Sequence, residues 1–195
     1  MKKNAVEDQA VERIVVQAFG ELTGRKGKPV RYAMMADTPV GTLGLAAGEA
    51  GLCRLEYTKD EDRFLERLLG AFSGPVLRSD ALDPALRALE RYFEGKHLSF
   101  DDVRVDLSSL PEFARKVLRE TARIPAGRWL SYSQVAAKAG NARASRAAGN
   151  ALHHNPVAII VPCHRVLRSD GSLGGYGGGT SNKEWLLQHE GATLL

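Results

Sequence analysis

Cys163 and His164 stand side by side at the end of an apolar run, Ala158-Ile-Ile-Val-Pro-Cys-His-Arg-Val166. A cysteine attacks only as thiolate, and an unperturbed thiol is mostly protonated at neutral pH, so a base or a cation must lower its proton affinity. His164 and Arg165 are the nearest candidates in sequence. The run itself reads as a buried strand that Pro162 stops. A plainer reading stands beside this one: free cysteines often serve as small core hydrophobes, and a following histidine can cap or solvate a strand end. Cys53 sits between Leu52 and Leu55 and reads as a core or half-buried residue. Two cysteines so far apart supply neither a disulfide framework nor a CxxC motif, and both are expected to be free thiols in a reducing compartment.

The charge distribution narrows the partners. Residues 1–107 carry 16 Lys/Arg against 18 Asp/Glu, whereas residues 108–195 carry 11 against 5. No acid occurs from Thr121 through Ser169, while Arg123, Arg128, Lys138, Arg143, Arg146, Arg165 and Arg168 all do. Such a stretch suits a polyanion, because each neutralised phosphate releases counterions. A solvated basic face is the bland alternative. The composition, 44% hydrophobic and 26% charged, is that of an ordinary globular protein. With no run of about 18 apolar residues and no signal sequence, a membrane location is not expected, and an intracellular, cytoplasmic protein is (nuclear in a eukaryote).

The elements that must position these residues can be sketched from periodicity. Val11, Ile14, Val15, Ala18 and Leu22 recur at helical spacing and predict an amphipathic helix over 5–22, closed by Gly24-Arg25-Lys26-Gly27-Lys28-Pro29. Three β-like runs at 30–36, 40–47 and 51–57 predict a small antiparallel meander. Asp60-Glu61-Asp62 reads as the start of a helix through Phe64, Leu65 and Leu68. Asp83-Pro84 reads as N-cap and first residue of another, ended at Gly95. In the second half, Ser109 to Glu112 and Ser131 to Gln134 look like capping boxes opening two helices, and a third spans about 143–153. Two short helices joined across Ala139-Gly140-Asn141 have the proportions of a helix-turn-helix, although plain helical hairpins look similar. In the last of these, Ala144, Ala147, Ala148, Gly149 and Ala151 leave little side-chain bulk around Arg146. A lone arginine on so smooth a helix could enter a groove and fill the place of a base rotated out of a duplex. Equally, the alanines could simply pack on a neighbour.

Several of these pieces together resemble the O6-alkylguanine-DNA alkyltransferases in order and spacing. They are Ile124-Pro125-x-Gly127, Ser131-Tyr132, Ala144-x-Arg146-Ala147-x-Gly149, Asn155-Pro156, Ile160-Val-Pro-Cys-His-Arg-Val166, Gly175-Tyr176-x-Gly178-Gly179 and Lys183-Glu-Trp-Leu-Leu-x-x-Glu190-Gly191. The resemblance covers roughly 108–191, with residues 30–107 matching more loosely. It implies an α/β (α+β) chain: an N-terminal extension and linker (1–29), a small antiparallel-sheet domain with helices (30–107), and a helical C-terminal domain (108–195) holding the helix-turn-helix and the reactive cysteine. It also implies DNA repair by direct damage reversal. Double-stranded DNA is bound, O6-alkylguanine (and O4-alkylthymine) is flipped out, and the alkyl group passes irreversibly to the cysteine, one transfer per molecule.

The site residues implied by that resemblance are these. Cys163 is the nucleophile, His164 the base through a water, and Glu184 the carboxylate orienting His164, although Ser181 to Glu184 also fits a capping box. Tyr132 donates to the minor-groove edge of the base, the amide near Gly177 reaches O6, the carbonyls of Cys163 and Val166 read the exocyclic amine, Tyr176 walls the pocket, and Asn155 ties the arginine helix to the active-site strand. Arg146, with Arg143, Ala147, Gly149 and Tyr132, faces DNA. No organic cofactor or metal is implied, and a monomer is, with cooperative binding along DNA left open. Gly177 stands where many relatives have serine, and Leu110-Pro-Glu-Phe-Ala114 departs from the commoner opening of that helix. A lesion-binding module that removes nothing, and a thiol-dependent hydrolase, are the competing readings. The first lacks a use for Cys163, and the second lacks one for the basic stretch.

Overall fold

The computed structural model describes residues 3–24 and 26–193, without the side chains of residues 3–12. Met1, Lys2, Arg25, Leu194 and Leu195, and the side chain of Val11, lie outside the described residues. After helix α1 (Lys3–Thr23), the chain forms a meander of β1 (Val30–Thr38), β2 (Gly41–Gly48) and β3 (Gly51–Tyr57), then α2 (Glu61–Ala71), β4 (Val76–Arg78) and α3 (Asp83–Phe93). The second half contributes α4 (Glu112–Ala122), β5 (Leu130–Ser131), α5 (Tyr132–Lys138), α6 (Ser145–His153), β6 (Val166–Leu167) and α7 (Thr180–His189).

The meander is present, but the sheet has four strands in the order β3-β2-β1-β4, and β4 runs parallel to β1. Three residues between Pro75 and the polar Ser79-Asp80 carry too little alternation to read as a strand; the α2 crossover places them there. In β2 the consecutive residues Leu43 to Ala46 are all buried, because both sheet faces are covered. Phe64 and Leu68 of α2 cover one face, over Val30, Tyr32 and Ala46. A Cβ at Gly44 would fall 2.6 Å from the Phe64 ring, so this close approach requires glycine. The other face belongs to a larger core in which Leu43, Leu45 and Leu55 meet Leu89 and Tyr92 of α3, Val117 and Leu118 of α4, and Ile159 and Leu186. Each such side chain, fully buried, contributes roughly 1.5–3 kcal/mol of transfer free energy.

Several local expectations need correcting. The expected N-terminal helix is present as α1, but none of its described side chains is buried: Ile14 is 68% and Leu22 86% exposed, while Val15 and Ala18 are half-buried. Helix α4 has Pro111 as its N-cap and no side-chain cap, since the proline already fixes the backbone, so Ser109 to Glu112 is no capping box. Asp83 is the first residue of α3 rather than its cap, which is Leu82. The box at Ser131 and Gln134 is present, with both reciprocal bonds, and Asp60 caps α2 by accepting from the Arg63 amide.

The main correction concerns the apolar run before Cys163. It is not a strand. Val157 makes a single parallel bridge to Leu55, with Leu55 N donating to Pro156 O (2.8 Å) and Ala158 N to Leu55 O (2.9 Å). Residues 158–160 then turn, Ile159 taking a φ of 67°. A β-branched residue holds that conformation only where its surroundings over-determine it, at a cost of about 1–3 kcal/mol. The run is apolar because it is buried on every side, not because it pairs in a sheet. Cys163–Arg165 forms a single 3-10 turn, from which β6 leaves to pair with β5. The outer edge of β3 thus carries the reactive segment.

Candidate active site

Burial dominates the chemistry of the turn. Cys163 is 9% exposed and His164 0%. Desolvation pushes the Cys163 thiol above its ordinary value, opposed by a hydrogen bond from Asn155 Nδ2 (3.1 Å) and by the charge of Lys183. At rest the sulfur is therefore a protonated thiol, and a base must take its proton. Asn155 also donates to Val161 O (2.8 Å) and accepts from Val157 N (3.0 Å), so one side chain at the end of α6 fixes the whole approach to the cysteine.

His164 is oriented from the far side. Its Nε2 lies 2.9 Å from Glu190 Oε1. A carboxylate only accepts, so Nε2 carries the proton and Nδ1 is the free basic nitrogen. Nδ1 is buried with no hydrogen-bond partner among the described residues. Burial lowers the pKa of His164 despite the Glu190 bond, which keeps the imidazole neutral at neutral pH. Glu190 is itself held by Arg165, whose Nε and Nη2 both donate at 2.8 Å, and by the Tyr92 hydroxyl at 2.7 Å. Burial alone would raise Glu190; hydrogen bonds from His164 and Arg165, and their charges, overcome it and bring the pKa to about 2. Arg165 also donates to Ile124 O, tying the turn to the end of α4.

Glu184, expected to orient His164, does not reach it. It is exposed on α7 and accepts from Gln188 Nε2 at 3.4 Å. It caps nothing either, because α7 begins at Thr180 with Gly179 as an uncapped N-cap. Helical phase explains the exchange: Lys183, Leu186, Leu187 and Glu190 form an i, i+3, i+4, i+7 stripe, and all four are buried. That stripe is visible in the sequence and would have favoured Glu190. Tyr92 carries no such signal, since only the tertiary fold brings α3 to the turn. Arg165, counted with the basic surface by its place in the acid-free stretch, is 5% exposed and belongs to this network.

A cavity of about 350 Å³ opens over the sulfur, lined by Tyr132, Gly149, Leu152, His153, Cys163, Arg168 and Gly174 to Gly177. A larger hollow of about 840 Å³ lies between segment 97–107, the end of α4 and Ile160-Val161. It does not include the cysteine, so the smaller cavity is the reactive one. Lys183, fully buried, donates to Val166 O at 2.7 Å and to Leu173 O, binding the active-site strand to the loop above the cavity. Desolvation lowers its pKa to about 8. The Val166 carbonyl thus already accepts from Lys183, and that of Cys163 from the Val166 amide; Val166, expected to face the base, is fully buried and does not line the cavity. A Cβ at Gly174 would fall 2.8 Å from the Tyr132 hydroxyl, while the Tyr132 ring rests against Gly149 of α6. Arg143, Arg146 and Ala147 are exposed at or just before the start of α6, Arg168 is exposed at the cavity, and Arg128 and Lys138 are also exposed.

Residues 112–192 match the family described as "6-O-methylguanine DNA methyltransferase, DNA binding domain", and residues 30–107 match "6-O-methylguanine DNA methyltransferase, ribonuclease-like domain". The chain belongs to the 6-O-methylguanine DNA methyltransferase family. Among curated relatives, the methylated-DNA–protein-cysteine methyltransferase of Methanosarcina barkeri is 38% identical over 162 residues, covering 82% of this chain and 96% of the relative. That of Salmonella typhimurium is 38% identical over 163 residues, covering 81% and 94%. The solved Mycobacterium tuberculosis O6-methylguanine methyltransferase superposes with a TM-score of 0.70 at 36% identity, covering 83% of this chain and 93% of that one. The same protein solved in complex with DNA gives 0.69 at 35% identity, covering 83% and 92%. The 6-O-methylguanine DNA methyltransferase fold, a mixed α/β arrangement with an N-terminal sheet and a helical second half, is thus the fold of this chain.

Proposed function

We propose that Cys163 is the acceptor of an alkyl group from O6-alkylguanine in double-stranded DNA, a repair reaction in which each protein molecule acts once. The observation that carries this reading is the thiol at the floor of a cavity beside a neutral, carboxylate-oriented histidine, with a small-residue helix bearing Arg146 at the cavity's rim. His164 Nδ1, through a water, takes the thiol proton as the sulfur attacks the alkyl carbon. The sulfur–carbon bond forms as the carbon–oxygen bond breaks, and its electron pair stays on the guanine. The guanine anion takes up a proton from water and the His164 imidazolium gives the thiol's proton back to water, so the imidazole is restored and charge balances. Tyr132, whose pKa burial raises, remains a protonated donor to the base throughout, and the Gly177 amide is the donor nearest O6.

Arg146 and Ala147 face the duplex, with Arg143 on flanking phosphate; Arg146 stacks into the gap left by the flipped nucleotide. O4-alkylthymine is a second substrate of the same pocket. No cofactor is required, and the protein acts as a cytoplasmic monomer. A thioether cannot be reversed by cellular thiols, so turnover is not expected. Intact-protein mass spectrometry after mixing with O6-methylguanine duplex tests this. One methyl per molecule, mapped to Cys163 and lost in Cys163→Ala, is expected; multiple turnovers or no adduct refutes it.

A further inference from the structure

The loop over the cavity, Gly174 to Gly179, is gripped from the other half of the chain. Tyr57, the last residue of β3, places its hydroxyl 2.8 Å from that of Tyr176. Their rings meet edge to face, with centroids 5.9 Å apart at 75°. The Tyr57 ring also lies against the loop: a Cβ at Gly178 would fall 2.4 Å from its Cε2. Gly178 has no positive φ, so the Tyr57 ring alone requires glycine there. A second tie follows at once, Asn182 Nδ2 donating to Val40 O at 2.9 Å. On its other side Tyr176 lines the cavity and meets the His164 ring at 6.3 Å and 83°.

We infer that Tyr57 is a positioning residue for alkyl transfer, through which the N-terminal sheet sets where Tyr176 and Gly177 stand over Cys163. This rests on the reading of Cys163 as alkyl acceptor. Tyr57 does not line the cavity and acts only through Tyr176 and Gly178. The hydroxyl pair is part-buried, and burial raises both phenol pKa values, so removing one hydroxyl takes away the other's protein partner. The loop then loses its fixed height. A methyl group, small and dependent on tight walls for alignment, is transferred more slowly; a benzyl group, which needs room beside Tyr176, is favoured by a loop that yields.

The test compares transfer rates from O6-methylguanine and O6-benzylguanine in duplex DNA for wild type, Tyr57→Phe, Tyr176→Phe and the double variant. Tyr57→Phe keeps the ring and the packing, and urea unfolding checks that the fold is retained. Methyl transfer in Tyr57→Phe is expected to fall roughly three- to tenfold, the value of one hydrogen bond. The benzyl-to-methyl rate ratio is expected to rise about fivefold, and the double variant to be no slower than Tyr176→Phe. An unchanged rate, an equal fall on both substrates, or additive effects overturns the inference while a wild-type adduct at Cys163 leaves the alkyl-transfer reading standing. Absence of that adduct overturns both.

Discussion

Replacing Glu190 by glutamine keeps the shape of the side chain and removes the charge on which four donors from three side chains converge. The carboxylate accepts from His164 Nε2, from two nitrogens of Arg165 and from the Tyr92 hydroxyl, all within 2.9 Å. A glutamine amide presents an NH2 to at least one of these donors and leaves the buried guanidinium without a counter-ion. Breaking a buried pair in this way costs about 3–5 kcal/mol of stability, a large part of what a domain has, so the urea midpoint should fall markedly. The chemistry should suffer separately. Without the carboxylate the Nε2 proton is no longer fixed, Nδ1 is no longer reliably the basic nitrogen, and the rate should drop on the order of a hundredfold or more, the usual contribution of a positioned base. The assay is the alkylated fraction against time by mass spectrometry, run at low temperature where the variant is folded. Glu184→Gln is the control: that residue is exposed and touches only Gln188, so its rate and stability should match wild type. A Glu190→Gln protein that reacts at the wild-type rate, or a Glu184→Gln protein that is equally slow, would refute the assignment of the network.

The remaining predictions concern pH, DNA and the pocket wall. Glu190 has a folded pKa of about 2 against an ordinary 4.5, so its contribution is present above about 4.5 and is lost as pH falls toward 2; acid titration of stability should show a loss of about 3 kcal/mol across that window, absent in Glu190→Gln. Because His164 is lowered and Cys163 raised, the transfer rate should be level through neutral pH and fall only well below 6.5. A tenfold climb per pH unit above 7 would mean that pre-formed thiolate, not the histidine relay, does the work. Arg146→Ala should slow repair in duplex DNA roughly ten- to thirtyfold, with free O6-benzylguanine nearly unaffected; equal losses on both would discredit its role in the helix. A Cβ at Gly177 meets nothing within 4 Å and its backbone is unstrained, so Gly177→Ser should fold normally and, by adding a hydroxyl donor beside O6, speed transfer a few-fold in single-turnover assays.

What could be read from residues alone follows how local each signal is. The Ser131–Gln134 box, the meander and the bare α6 with Arg146 are set by neighbours in sequence, and they appear where the spacing puts them. The run at 158–162 misled because burial from all sides and pairing in a sheet leave the same apolar composition, and only tertiary packing distinguishes them. β4 was invisible because three residues on an edge need no alternation. The exchange of Glu184 for Glu190 was avoidable, since the buried stripe of α7 was already in the sequence; Tyr92 and Tyr57 were not, because their roles depend on contacts spanning 98 and 119 residues.

Those long contacts also decide when the cysteine becomes dangerous. During synthesis Cys163 emerges after the segments of β3 and α3 but before Lys183 and Glu190, the carboxylate that aims its histidine. Contacts closing such long loops form late in folding. A nascent chain therefore carries an ordinary thiol with no oriented base, and the single reaction it can perform is withheld until the two ends of the fold have met.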